Sequence, residues 1–226
     1  EPILRQDGQQ KNDCEQNACK RLLGHIRSNY GKERLLFVMD ALYSCAPIVN
    51  MLLENPRWQF VIGVKPKGNA TLFSQWAGRK ERGGTACLEE EDQEGLHRYR
   101  YTNNLALNTA NSDVRVNMIH YELIPKKGKK KTFTWITSVK LTRSNVQKLA
   151  RAGRSRWKIE NETFNTLKNQ GYHYNRNFGH GKNNLCSVFA FLMMMAFTVD
   201  QIQQHACHHF RQLWKAVRTK VHLWES

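Results

Sequence analysis

The sequence predicts an α/β fold with a β-rich stretch set into it, and three observations predict this. An uninterrupted apolar run, Leu35–Met39 in RLLFVMD, stops at Asp40 and is followed by a proline-started helical stretch, the pattern of a strand–turn–helix unit. From 58 to 140 the character turns to strands, with Phe133, Trp135, Thr137 and Val139 in clean alternation. After Ser144 helical spacing returns and persists to the end.

Taken in order, Asp13 with Gln16 three residues later, then Ala18, Leu22 and Ile26, reads as a capped amphipathic helix ending near Gly31. The 35–39 run suits a strand covered on both faces. Pro47 suits the first turn of a short helix through Leu53. WQFVIGV, HRYRY, VRVNMIHYEL and TFTWITSVK follow as strands, and PKKGKKK is the turn between the last two. Its lysines are either a solvated tip or a phosphate-contacting one. The acidic run at 89–94 is expected to be an exposed loop, because clustered like charges stay hydrated.

In NVQKLARAGRSRWKIENETFNTLKNQG, with Gly171 as its stop, about 100° per residue puts Trp157, Glu160, Phe164 and Leu167 on one stripe and Glu162 opposite. Glu160 is therefore expected to face inward. A Gly-, Asn- and His-rich connection covers 171–182, and the apolar 185–199 run is expected to be a buried core helix, too short to cross a membrane. The domain reading is a partial core from 1–57 and 141–226, split by a β-rich subdomain at 58–140.

At 226 residues the chain can bury the core of an enzyme. Lys and Arg outnumber Asp and Glu by 35 to 19, a formal charge of +16 that makes a polyanion the leading partner. Ribosomal proteins and anionic-membrane binders share such an excess, so charge alone leaves the class open. Six scattered cysteines form no Cys-x-x-Cys pair, which argues against a zinc ribbon or a disulfide scaffold and fits a reducing cytoplasm. The start, EPILRQDG, carries no signal peptide, as in a fragment or processed product.

Two carboxylates occupy positions where a carboxylate is costly: Asp40 at the end of a buried strand and Glu160 on an apolar helix face. Hard divalent cations offset that cost and draw acids from distant parts of a chain into one site. The alternative is that Asp40 caps a turn and Glu160 pairs with Arg156 one helical turn earlier. Patterning alone favours neither. His205, Cys207, His208 and His209 diverge around a helix and lack zinc spacing, so they read as a solvated surface. His173 and His180 read first as loop residues. Trp58, Trp76, Tyr99, Tyr101 and Trp135 could stack on an unpaired base, though core packing explains most of them.

RLLFVMDALYSCAPIVNMLLEN, then a β-rich stretch, then RSRWKIENETFNTLKNQGYHYNRNFGHG, resembles the DDE transposases of bacterial insertion sequences, the group called family four, over nearly the whole chain. The resemblance implies an RNase H-like core. It makes Asp40 the second catalytic acid and Glu160 the third, both ligands of Mg²⁺ or Mn²⁺, two ions in the intact enzyme. It also implies double-stranded DNA as partner, at transposon ends and target, with a possible homodimer, no membrane, and a bacterial cytoplasmic, nucleoid-associated location.

Two departures stand out. The family signature runs Tyr, two residues, Arg, three residues, Glu, six residues, Lys; Arg156 and Glu160 fit it, but Gly153 replaces the tyrosine and Lys168 comes one residue late. The family's first aspartate and the opening strands of its sheet are expected upstream of anything present here, because neither Asp7 nor Asp13 follows a buried strand. Arg156, Lys168, Trp157 and Lys65 are the expected DNA contacts. The expected activity is metal-dependent cleavage and strand transfer, with the chain inactive alone for want of the first acid. Its rivals are a non-catalytic basic DNA-binding fragment or decayed copy, and an RNase H-like host nuclease that cuts without joining.

Overall fold

The computed structural model describes residues 14–176, 178–179 and 185–217, in two compact units that divide between Arg156 and Trp157. The first unit is built on one six-stranded sheet. Helix α1 (Glu15–Tyr30) opens it, with Cys14 rather than a side-chain cap at its start; the cap expected from Asp13 lies outside the described residues. Strand β1 (Leu35–Met39) and helix α2 (Ala46–Leu53) follow, with Pro47 in the helix's first turn, where its missing N–H costs nothing. Then come β2 (Trp58–Gly63), α3 (Ala70–Glu81), β3 (Ala86–Glu91), β4 (Gly95–Ala106), β5 (Arg115–Pro125), β6 (Lys131–Thr137) and α4 (Val146–Lys158). The stretch read as wholly β thus contains a twelve-residue helix.

The sheet order is β1-β2-β6-β5-β4-β3, with β1 and β2 parallel and the remaining pairs antiparallel. The strands of the β-rich stretch therefore continue the sheet that β1 begins. Among the described residues β1 lies at its edge, and the 44% exposure of Leu36 corrects the expectation of a strand covered on both faces. A continuous apolar run is what a doubly covered strand and a one-neighbour strand share, so the run could not distinguish them. The acidic run is corrected too: Glu89, Glu90 and Glu91 lie on β3, the opposite edge, where Arg98 Nε donates to Glu89 across the β3–β4 pair at 2.5 Å. Cross-strand pairing offsets the repulsion that would otherwise keep these residues in a loop.

Each face of the sheet carries its own core. On one, Phe60, Ile62, Met118 and Ile136 pack with Ile48, Val49, Leu52 and Leu72 from the helices. On the other, Tyr99, Tyr121 and Trp135 pack under Val146, Leu149 and Ala150 of α4. The rings of Tyr99 and Tyr121 stack at 5.0 Å, and Phe133 and Trp135 at 5.7 Å. Trp58, Trp76, Tyr99, Tyr101 and Trp135 are all buried, so each is a packing residue and none presents a ring to a base. The lysine turn is exposed, with Gly128 at φ 103° where a side chain would be strained, and Lys130 Nζ lies 2.6 Å from Glu122.

The second unit starts with the end of α4 and continues as a π-helical turn, Ile159–Phe164, then α5 (Asn165–Asn169), α6 (Leu185–Ala206) and α7 (His208–Val217). The expected buried core helix is instead a 22-residue helix with most of its apolar side chains exposed, Met195 at 60%. By length and composition alone it is long and apolar enough to cross a membrane, which also corrects the shorter run read from sequence. Its buried residue is Asp200, which accepts a hydrogen bond from the Tyr172 hydroxyl. Burial first, and then that bond, push the Tyr172 hydroxyl well above the usual tyrosine range. His205, His208 and His209 are exposed, as expected; His180 lies outside the described residues.

Candidate active site at the carboxyl end of the parallel strands

Asp40 takes its position from β1. The strand runs out at Met39, and Asp40 turns the chain into a 3₁₀ turn, Ala41–Tyr43, whose first N–H its own carboxylate accepts. The capping role considered for it is therefore real. Lys65 stands two residues beyond β2, at the same end of the sheet because β1 and β2 are parallel. Open α/β sheets gather ligands at such carboxyl ends. The two loops are tied together: Asn69 Nδ2 donates to Ser44 Oγ at 3.2 Å and to Lys65 O at 3.3 Å. Lys65 itself is exposed.

Arg156, near the end of α4, closes this group. Its Nη1 lies 3.6 Å from Asp40 Oδ2, with the arginine side chain 28% exposed and the aspartate 47%. Asp40 thus holds two things, its own turn and a guanidinium from a helix more than a hundred residues further along the chain. Burial, and then the charges of Cys19, Glu15 and Asp40, push the neighbouring Tyr43 hydroxyl up, so it stays protonated near neutrality.

Glu160, Trp157 and Lys168 belong to the second unit. Glu160 and Lys168 are exposed, and Trp157 is 61% exposed, while Leu167 is fully buried. The inward stripe expected from even 100° spacing is not formed. Within the π turn the Asn165 N–H donates to Glu160 O, five residues back, so Leu167 beyond the turn is out of phase with Trp157 before it.

The same turn accounts for the late lysine. Eight positions separate Glu160 from Lys168, about 80° off-face in a regular α-helix. A π turn takes up one residue more than an α turn, which returns Lys168 close to the side of Glu160. Gly153 has an equally specific cause. A Cβ built there would lie 2.5 Å from the Trp135 indole, so α4 approaches the sheet closer than any side chain allows, and a tyrosine has no room. Neither signal was legible in residue types alone, although the one-residue offset marked where to look.

The model of the transposase DDE domain family matches residues 1–199, most of the chain. The chain belongs to the transposase DDE domain family. No curated protein matches it. The mixed six-stranded sheet with flanking helices is the RNase H-like α/β architecture of such a domain. A DDE domain implies a transposase function, DNA as its partner and dependence on a divalent metal. In donor chemistry Asp40 suits such an ion: it is a hard, half-exposed oxygen donor that already draws a cation, the Arg156 guanidinium. Among the described residues no three histidine, cysteine or acidic side chains stand together as a metal cluster.

Proposed function

We propose that this DDE domain is the catalytic region of an insertion-sequence transposase, with Asp40 and Glu160 as ligands of Mg²⁺ or Mn²⁺. The observation that carries the reading is Asp40 itself, a carboxylate at the carboxyl end of the parallel strands that holds a guanidinium at 3.6 Å. When bound, divalent ions at these acids supply activation of the attacking oxygen and charge for the scissile phosphate. The chain's own residues bind and orient the DNA. Arg156 and Lys168 hold phosphates near the cut, Lys65 reaches the backbone beside Asp40, and the exposed Trp157 indole supplies a stacking face.

In this reading the partners are the duplex ends of the element and its target, with a homodimer as the working form and the bacterial cytoplasm, at the nucleoid, as its place. Residues 58–140 are the β-rich insertion between the two acids, and their strands extend the core sheet. Asp7 and Asp13 lie outside the described residues.

A second reading is a basic fragment that occupies DNA ends without cutting them. It is favoured by the formal charge of +16, which by itself suffices to hold duplex DNA. Calorimetric titration of Mn²⁺ into the chain, Asp40→Asn and Glu160→Ala, beside duplex binding by each, separates the two. The catalytic reading expects metal uptake that either substitution abolishes. DNA binding with metal uptake absent, or indifferent to both acids, sinks it and leaves the second reading.

A further inference from the structure

Arg156 is assigned above to a phosphate, yet its guanidinium stands against Asp40, the carboxylate read as a metal ligand. One oxygen of Asp40 accepts the Ala41 N–H that holds the 3₁₀ turn, and the other, Oδ2, faces Arg156. The oxygen open to a cation is therefore already serving one. A divalent ion and a guanidinium both need that electron density, and two cations crowded on one half-exposed carboxylate repel each other.

The arginine is carried by a helix whose place is fixed. α4 is clamped to the sheet by Val146, Leu149 and Ala150, and at Gly153 it lies directly on the Trp135 indole. Its backbone cannot retreat from the site, so any exchange occurs through the long, flexible arginine side chain alone. The neighbouring Arg154 is held differently, its Nη1 donating to the Tyr121 hydroxyl at 3.2 Å with its guanidinium 5.7 Å from the centre of that ring.

We propose that Arg156 is a resident counter-ion of Asp40 that competes with the divalent metal, leaving the carboxylate when a DNA phosphate draws its guanidinium away. Without metal the carboxylate is thereby kept charge-balanced, and metal and DNA promote each other's binding because each relieves the other's competitor. This rests on Asp40 being a metal ligand.

The test is Mn²⁺ calorimetry on the full chain without DNA. Arg156→Gln tightens Mn²⁺ binding, by about fivefold at most for an ion pair this exposed. Arg156→Lys, which keeps the charge, stays near wild type. Arg154→Gln, with the same change in net charge two residues away, leaves affinity unchanged and so rules out a general field effect. In an Asp40→Asn background, where uptake is lost, Arg156→Gln restores none, because the arginine acts through that carboxylate. Equal melting temperatures of the variants in metal-free buffer show that folding is not the cause of any change in uptake.

An unchanged or weakened affinity in Arg156→Gln, with Asp40→Asn still abolishing uptake, overturns the competition and leaves the catalytic reading standing. A gain that survives Asp40→Asn, or one matched by Arg154→Gln, overturns it as well. Uptake that Asp40→Asn does not touch, or no uptake by any variant, removes the catalytic reading and the competition together.

Discussion

Gly153 and Trp135 show how one missing side chain sets the geometry of a site. The helix that bears Arg156 reaches the sheet because nothing projects from position 153 toward the indole. Gly153→Ala is expected to lower unfolding stability by about 1–3 kcal/mol, despite the better helix propensity of alanine, because the contact is with a packed ring rather than a mobile chain end. Urea denaturation checks this, and an unchanged midpoint would show that the ring yields. Titratable residues give a second expectation. Burial, first among its causes, holds His120 below the usual histidine range; its Nδ1 lies 3.0 Å from Thr134 Oγ1 and its Nε2 4.0 Å from Glu122. A histidine depressed in the folded state contributes stability that is complete above its unfolded pKa, about 6.5, and is lost as pH falls through the folded value. The hydrogen bond from His97 holds Asp92 below the usual carboxylate range, which has the same sign at lower pH, from about 3.9 downward. Melting temperature should therefore decline as pH drops from 7 toward 5, and His120→Gln should flatten that decline.

At the scale of the element, the β1 edge and the π turn carry the consequences. Among the described residues Leu36 lies on a strand with one neighbour and is 44% exposed, so Leu36→Lys should change stability by no more than about 0.5 kcal/mol, whereas Ile48→Ala, in the fully buried face of α2, should cost about 2–5 kcal/mol. Comparing the two in one denaturation series tests whether β1 is an edge in solution. A charged residue that unfolded the chain at position 36 would mean that the strand is covered. The π turn leads to a sharper expectation. Deleting Asn161 removes the residue that the turn accommodates, so the helix should regularise with Lys168 still on the side of Glu160 and duplex affinity preserved. Moving the lysine instead, by exchanging Lys168 and Asn169, should weaken duplex binding.

For the whole molecule, a formal charge of +16 governs how the domain meets its partner. Duplex affinity should fall steeply and linearly in log–log form with salt, at about 0.9 per phosphate neutralised. Lys65→Ala and Lys168→Ala should each reduce the slope by about one if both residues meet phosphates, and fluorescence anisotropy across a salt series measures this. A slope that neither substitution moves would place the DNA elsewhere on the basic surface.

The sequence by itself determined a good deal. The apolar run ending in Asp40, the proline-started helix, the strand alternation around Trp135 and the basic helix through Arg156 are local patterns, written in residue order and read without knowledge of any neighbour. They carried the α/β class and marked Asp40 as the acid to watch, while the family came from the resemblance of the motifs around Asp40 and Glu160. Tertiary structure alone decided which neighbours those elements have. It put β1 at the edge of the sheet, joined the later strands to that same sheet, and set the Arg156 guanidinium beside Asp40 across a long separation in sequence. It also inserted the π turn that brings Lys168 back toward the side of Glu160, and left the apolar side chains of α6 uncovered. A hydrophobic pattern records that a surface needs cover, whereas strand partners, helix approach and ion pairs depend on contacts between distant segments that no local period encodes.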